Sequence, residues 1–478
     1  MRYSMLVYMT KMSRTLLEAA QYLRMAPEGD LRADLLENGQ KMLAQIREVL
    51  DQHKSTLNSD TLLTRLSEVE TLWGSGEAAV EERLDQFIKA LPGEVAYQVR
   101  AVFFAELGEK WDAMQSVYEY MRDDPRFDPV VVRTPVGRVV ERNGKRKQQI
   151  IYKDFLTPMD IPSLGYDQYD IEEDCPELAF ISQPYESCTM EQFWPETIAK
   201  HTRLVYLPYY LPDVPSKASV MSLAQLPVYR AAWKVVCPTE KQYKYYCCHA
   251  ANKGANALVT GAPKTDPFVA LTQRKVQLPE SWSCLKGKTV FLWNSWYDIA
   301  ASSVRFFDEL LNWFEEHKDC GLIWRNHPMT DTVTKLYHPN QYAGYQKNLR
   351  RAEKAENIVI DRETSCNAAF SASDAMISDW SSLLPQYLLI DKPALWIDNH
   401  AVQFTGEEFI ESRWMERGET IDDLFAFMER IRSGEDRNAI LRRMIRKRDI
   451  PLADGRCGVR VCEELWREMH QEDLELTI

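Results

Sequence analysis

Apolar positions in the first ninety residues repeat with the period of a helix. Met42, Ile46, Val49 and Leu50 stand at i, i+4, i+7 and i+8, one face of a 3.6-residue repeat. Asn58, Ser59 and Asp60 offer capping groups ahead of Leu62, Leu63, Leu66, Val69 and Leu72. Gly74-Ser75-Gly76 stops that helix, and another spans 77–90 before Leu91-Pro92-Gly93. Then the pattern changes. Short apolar runs alternate with amphipathic stretches, the mark of a layered α/β domain with a parallel sheet. Strands are expected over 99–105, 129–133, 178–183, 204–207, 233–237 and 258–260, with helices over 111–122 and 240–251; the basic stretch 138–147 reads as a loop. Past a linker near 278–285 come strands over 289–293, 322–325, 357–360, 375–377 and 394–397. Helices are expected over 302–317, after Met329, after Thr364 and over 381–390. The expectation is an α/β fold: two Rossmann-like lobes facing a cleft, preceded by an α-helical N-terminal region. Residues 1–93 form the helical appendage, 94–277 the first lobe, and 278–478 the second lobe with the C-terminal helices. The appendage shows no catalytic constellation. Self-association is its leading role, with a membrane or partner contact second.

Ligands of such sheets bind beyond the carboxyl ends of the strands. The strongest candidate there is Ser378-Asp379-Trp380-Ser381-Ser382, where an apolar strand runs into a polar turn and two serines open an apolar helix. Free backbone N–H groups at a helix start favour an anion, and the hydroxyls add donors. The plainer alternative is that one serine only caps the helix. In Trp324-Arg325-Asn326-His327-Pro328, proline ends the strand and biases His327 toward an extended backbone. That ring could donate to a phosphate or protonate a leaving group. Asn294-Ser295-Trp296 is a weaker third loop. In the first lobe, Gln183-Pro184-Tyr185-Glu186 and Pro208-Tyr209-Tyr210-Leu211-Pro212-Asp213 end strands; their tyrosines suit a hydroxylated substrate, and Glu186 or Asp213 could serve as a base. Lys264, in Gly261-Ala262-Pro263-Lys264-Thr265-Asp266, either reaches a phosphate or is a solvated turn residue.

Composition narrows this further. A chain of 478 residues exceeds one ordinary core. No apolar run approaches the roughly 18–20 residues that span a bilayer, and Met1 to Thr10 hold no secretory signal pattern. A cytoplasmic protein is expected, or one lying peripherally on the inner membrane face. Ten scattered cysteines read as reduced thiols, and eight histidines form no metal-binding pair; no metal and no cofactor are expected. A net charge of −13 argues against nucleic acid. A local basic cluster of Arg430, Arg432, Arg437, Arg442, Arg443, Arg446, Lys447 and Arg448 is either a solvated helix face or a contact for anionic lipid or an acidic acceptor.

Taken in order, these loops resemble the CDP-glycerol glycerophosphotransferase family, the enzymes that prime or polymerise teichoic acids and that are similar to two-lobed GT-B glycosyltransferases. The resemblance rests on Arg325-Asn326-His327-Pro328, on Ser378-Asp379-Trp380-Ser381-Ser382, and on Tyr387-Leu388-Leu389-Ile390-Asp391-Lys392-Pro393. Weaker likeness runs through Gly261 to Asp266 and Asp123-Asp124-Pro125-Arg126-Phe127-Asp128, so that about 98–435 is covered. It implies that the second lobe grips CDP, with His327, Ser381 and Ser382 on the diphosphate and Asn294, Ser295, Arg325 and Asp379 about it. The family's first lobe usually presents its base from a His-Gly pair. Here the corresponding loop reads Tyr206-Leu207-Pro208-Tyr209-Tyr210, leaving Tyr209, Asp213 and Glu186 as substitutes. The implied reaction moves glycerol phosphate, or a related polyol phosphate, from a CDP donor to a hydroxyl of a cell-surface glycan or lipid-linked acceptor. Two other readings stay open: a GT-B glycosyltransferase using a nucleotide-sugar, and a nucleotide-binding relative without turnover.

Overall fold

Two all-parallel sheets carry the architecture. A computed structural model describes residues 1–25, 28–54, 59–106, 108–142, 145–152, 161–211, 223–274, 276–295, 302–327, 330–363, 365–400 and 408–474. The first sheet holds β1 (Val99–Ala105), β2 (Phe127–Arg133), β5 (Ser163–Gly165), β6 (Leu178–Ile181), β7 (Arg203–Tyr206), β8 (Lys234–Cys237) and β9 (Ala257–Val259), in the order β5-β2-β1-β6-β7-β8-β9. The second holds β10 (Thr289–Ser295), β11 (Cys320–Asn326), β12 (Ile358–Ile360), β13 (Ala375–Ser378), β14 (Ala394–Ile397) and β15 (Glu416–Gly418), in the order β12-β11-β10-β13-β14-β15. Nearly every central strand position is buried, as expected for sheets covered by helices on both faces.

Residues 138–142 and 145–147 are strand rather than loop. They belong to an antiparallel hairpin of β3 (Val136–Arg142) and β4 (Lys145–Tyr152). The Asn143-Gly144 dipeptide is a strong hairpin signal, and the basic composition masked it.

The N-terminal region is four helices, α1 (Tyr3–Met25), α2 (Asp30–Gln52), α3 (Ser59–Leu72) and α4 (Ala78–Glu94). The last runs through Pro92-Gly93, which the sequence marked as a stop. These helices are not an outlying appendage: Leu6, Leu16, Ile46, Leu66 and Phe87 share one core with Val99 and Phe103 of β1. The stripes that offered a self-association surface are thus buried within the chain. The chain start is also tied down, because Tyr3 N donates to Gln98 O at 2.9 Å and Gln98 N to Met1 O at 2.9 Å.

The final helix, Cys457–Asp473, also crosses back to the first lobe. Its Val461, Leu465 and Met469 enter that same core, against the helix Gln115–Asp123. Gly458 permits the approach, since a Cβ there would lie 2.6 Å from the backbone carbon of Ser116. Asp266 secures the crossing: its carboxylate, 6% exposed, accepts from Cys457 N at 3.0 Å and Gly458 N at 2.8 Å. Asp266→Ala leaves two helix-start N–H groups unsatisfied. We expect a loss of about 2 kcal/mol, read in scanning calorimetry as a midpoint lower by roughly 4–8 °C.

Candidate functional site

The second sheet has the doubly wound order 3-2-1-4-5-6, so its topological switch point lies between β10 and β13. The strand ends there are bound to one another. Asn294 Nδ2 donates to Arg325 O at 3.1 Å, and Asn294 Oδ1 accepts from Ser378 Oγ at 3.3 Å. Ser295 Oγ donates to Asn326 Oδ1 at 2.8 Å, and Asn326 Nδ2 to the Tyr345 hydroxyl at 2.8 Å. Asn294 and Ser295 are 5% and 1% exposed. Their side chains fix the floor of the switch point rather than face a ligand.

Asp379 is fully buried. Both its carboxylate oxygens accept from Ser302 N at 3.0 Å, and Oδ2 also accepts from Ser302 Oγ at 2.9 Å. It therefore anchors the segment that follows β10. Arg325 is likewise engaged: its guanidinium donates to Asp361 Oδ2 at 2.6 Å and Glu363 O at 3.0 Å, holding the loop after β12. Within 378–382, two residues remain for an anion. Ser382 is exposed, and its hydroxyl has no hydrogen bond among the described residues. The N–H groups of Ser381 and Ser382 meet no backbone acceptor among them either. The helix that follows is Leu383–Leu388, shorter than the expected 381–390. Six residues give a weak macrodipole, so the local N–H groups and hydroxyls carry the attraction.

His327 stands one residue past the end of β11, half-buried. Burial lowers its ring below the ordinary histidine range. At neutral pH it is an uncharged imidazole with one N–H to donate. Strands β11 and β13 flank β10, so the loops that carry His327 and Ser382 leave the sheet on either side of β10. Pro328 and Trp296 lie outside the described residues.

The remaining signature, Tyr387 to Pro393, is scaffold. The buried Tyr387 hydroxyl lies 3.0 Å from Ser373 Oγ, and Lys392 Nζ donates to Phe370 O at 2.7 Å and Ser371 O at 3.0 Å. Asp391 accepts from Arg442 at 3.0 Å and from Arg443 at 2.7 Å. Arg430, Arg432, Arg437, Arg442, Arg443 and Arg448, six of the eight cluster cations, make ion pairs, and Arg446 is half-buried. The cluster is chiefly internal pairing.

In the first sheet the switch point lies between β1 and β6. Burial, and then Tyr185, push the Tyr209 hydroxyl up to about 12. It keeps its proton at neutral pH, which removes it as a base and leaves it a donor. Glu186 sits on the turn Glu186–Cys188, half-exposed; burial first and Glu196 second raise its carboxyl, the direction that suits a proton acceptor. Asp213 lies outside the described residues. Lys264 is 5% exposed, so it is no solvated turn residue. Glu106, the residue directly after β1, stands in no motif of the sequence. It is 5% exposed and accepts from Lys110 Nζ at 2.9 Å and Gln183 Nε2 at 3.2 Å. An acidic residue closing the central strand of a doubly wound sheet was the available signal.

Asp398, His400 and Glu419 form a possible cation group among the described residues, their ligand atoms within 4.8 Å of one another. Arg417 pairs with both Asp398 and Glu419, so each carboxylate of the group already faces a cation. Among the described residues no helix is long and apolar enough to cross a membrane.

The family match centres on the second lobe, whereas the solved structures match across both. Residues 235–467 match the CDP-glycerol:poly(glycerophosphate) glycerophosphotransferase family. The glycerophosphotransferase match bears out the resemblance carried by the His-Pro loop and the 378–382 turn. It starts later than the 98–435 read from motifs and runs into the final helix. No curated protein matches the sequence. Among solved structures, a protein of Listeria monocytogenes assigned as a UDP-N-acetylglucosamine 2-epimerase is similar at 11% identity and TM-score 0.53, over 78% of this chain and 97% of its own. S. aureus MnaA with UDP is similar at 11% identity and TM-score 0.52, over 78% and 97%. The wall teichoic acid polymerase TagF is similar at 11% identity and TM-score 0.50, over 86% and 99%. At that identity these likenesses establish the fold: two Rossmann-like lobes of GT-B type after a helical N-terminal region.

Proposed function

We propose that the protein transfers glycerol phosphate, or a related polyol phosphate, from a CDP-activated donor to an acceptor hydroxyl, releasing CMP. The observation that carries this reading is coincidence of place. The glycerophosphotransferase match spans the second sheet's switch point, beside which lie the Ser381 and Ser382 N–H groups and the Ser382 hydroxyl, without hydrogen-bond partners among the described residues, and the His327 ring. One TagF structure was obtained after a soak with CDPG, which gives the donor class a precedent on this fold.

The chemistry needs little more than a grip and a base. The acceptor oxygen forms a bond to the donor β-phosphorus, the bridging P–O bond breaks, and CMP departs with that electron pair. Ser381 and Ser382 N–H groups, the Ser382 hydroxyl and His327 hold the charge that builds on the phosphate oxygens. A first-lobe carboxylate takes the hydroxyl proton. A cell-surface glycan or lipid-linked acceptor would bring the reaction to the cytoplasmic face of a membrane, with the protein bound peripherally.

A thermal-shift panel of CDP-glycerol, CDP-ribitol, UDP-sugars and GDP-sugars tests the donor. A CDP-polyol at about a hundred times its Kd should add about 2.7 kcal/mol of stability. Stabilisation by a UDP-sugar alone would overturn the reading in favour of sugar transfer. Binding of CDP-glycerol without CMP release, whatever hydroxyl acceptor is offered, would replace it with a nucleotide-binding role.

A further inference from the structure

We infer that Glu106 is the proton acceptor for the incoming hydroxyl, held in place by Lys110 and Gln183 at the first-lobe switch point. The inference rests on the proposed transfer and supplies the base that the Tyr206 to Tyr210 loop lacks.

Position comes first. Glu106 follows the last residue of β1, and Gln183 lies two residues beyond the end of β6, the strands that flank the switch point. In a doubly wound sheet that crevice is where substrate enters. The segment after β1 also reaches the donor lobe: the Asp112 carboxylate, 8% exposed, feels the charges of Lys264 and of Arg325 at the end of β11. Ser116 Oγ, a little further on, donates to Pro263 O at the lobe junction, 3.4 Å away. Glu106 thus stands shortly before the segment whose Asp112 faces the donor lobe.

Chemistry comes second. Both hydrogen bonds converge on one oxygen, Oε2, from Lys110 at 2.9 Å and Gln183 at 3.2 Å. Oε1 has no hydrogen bond among the described residues. The carboxylate is therefore oriented through one oxygen and leaves the other to accept a proton. Burying a carboxylate and an ammonium together rarely stabilises a fold as well as apolar packing would, so such a pair at a crevice points to a site. The Lys110 ammonium also lies 5.0 Å from the centre of the Tyr209 ring, which sets that ring against the same ion pair. In the step, Glu106 Oε1 takes the acceptor proton as the oxygen bonds to phosphorus and CMP leaves; the carboxylic acid then returns its proton to solvent. Glu106 is the catalytic residue, and Lys110 and Gln183 are positioning residues.

The test compares the full-length protein with Glu106→Gln, Glu106→Asp and Lys110→Met, measuring CMP release against pH and CDP-glycerol binding by calorimetry. Glu106→Gln should lower kcat about 10²–10³-fold, with donor affinity within about twofold of wild type and the acid limb of the kcat profile gone. Glu106→Asp should recover part of the rate and restore that limb. Lys110→Met should lower kcat with donor affinity near wild type, because the carboxylate loses the cation that orients it. A Glu106→Gln protein that turns over as fast as wild type overturns this inference and leaves the donor reading intact. So does one whose donor binding and rate fall together with the acid limb unchanged. Failure of the wild-type protein itself to bind CDP-glycerol overturns the donor reading, and this inference with it.

Discussion

Replacing His327 with alanine should abolish CMP release from CDP-glycerol while the protein stays folded. The ring sits one residue beyond β11 beside the switch point, and burial keeps it neutral at pH 7. A neutral imidazole can donate one N–H to a phosphate oxygen, and that bond strengthens as charge builds in the transition state. Losing a positioned donor or acid of this kind costs about 10²–10⁴ in rate. His327→Gln, which keeps an N–H at a similar reach, should fall between alanine and wild type. The measurement is single-turnover CMP release at saturating donor. Undiminished turnover in the alanine variant would sink the role assigned to this histidine.

Asp379→Ala should act through structure and then through binding. Its buried carboxylate takes hydrogen bonds from Ser302 N and Ser302 Oγ, and its own N–H donates to Asn294 O at 3.2 Å. Truncation leaves the Ser302 N–H and hydroxyl without their acceptor inside the lobe, while Trp293 Nε1 still donates to that hydroxyl. A buried network broken on one side loses about 3 kcal/mol. The midpoint should drop by roughly 6–12 °C. Donor affinity should weaken too, because Ser381 and Ser382 follow directly on the turn that Asp379 anchors. Unchanged melting would show that the carboxylate is not the anchor. A lowered midpoint with unchanged CDP-glycerol affinity would separate the anchor from the donor grip.

These two residues show how far the pattern of residues reached. The 378–382 turn was legible as an anion site because an apolar strand, a polar turn and two serines are a local arrangement. The division of labour inside the turn was not. Asp379 looks like a ligand residue in the sequence, yet its partner is Ser302, 77 positions away. Arg325 is read as one of the residues about the CDP site, and Asp361 and the carbonyl of Glu363 engage it. Such pairings are set by strand order, which no local window contains.

The first lobe shows the converse. Tyr209 and Glu186 stood out because aromatic and acidic residues at strand ends attract notice. Glu106 did not, because Lys110 is only four residues on and the partner that marks the crevice, Gln183, is 77 positions away in the chain. What the helical region packs against was also beyond reach: helical periodicity reveals that α1 to α4 have apolar faces, not what those faces cover.

The sequence by itself determined the alternation of strands and helices, the two-lobed α/β class, and the serine turn and His-Pro loop that carry the family resemblance. All of these follow from short-range periodicity and turn chemistry. Only the tertiary structure decided which polar side chains face the cleft and which hold it together. Burial and hydrogen bonds between strand ends assign those roles, and both depend on residues brought together from far apart in the chain.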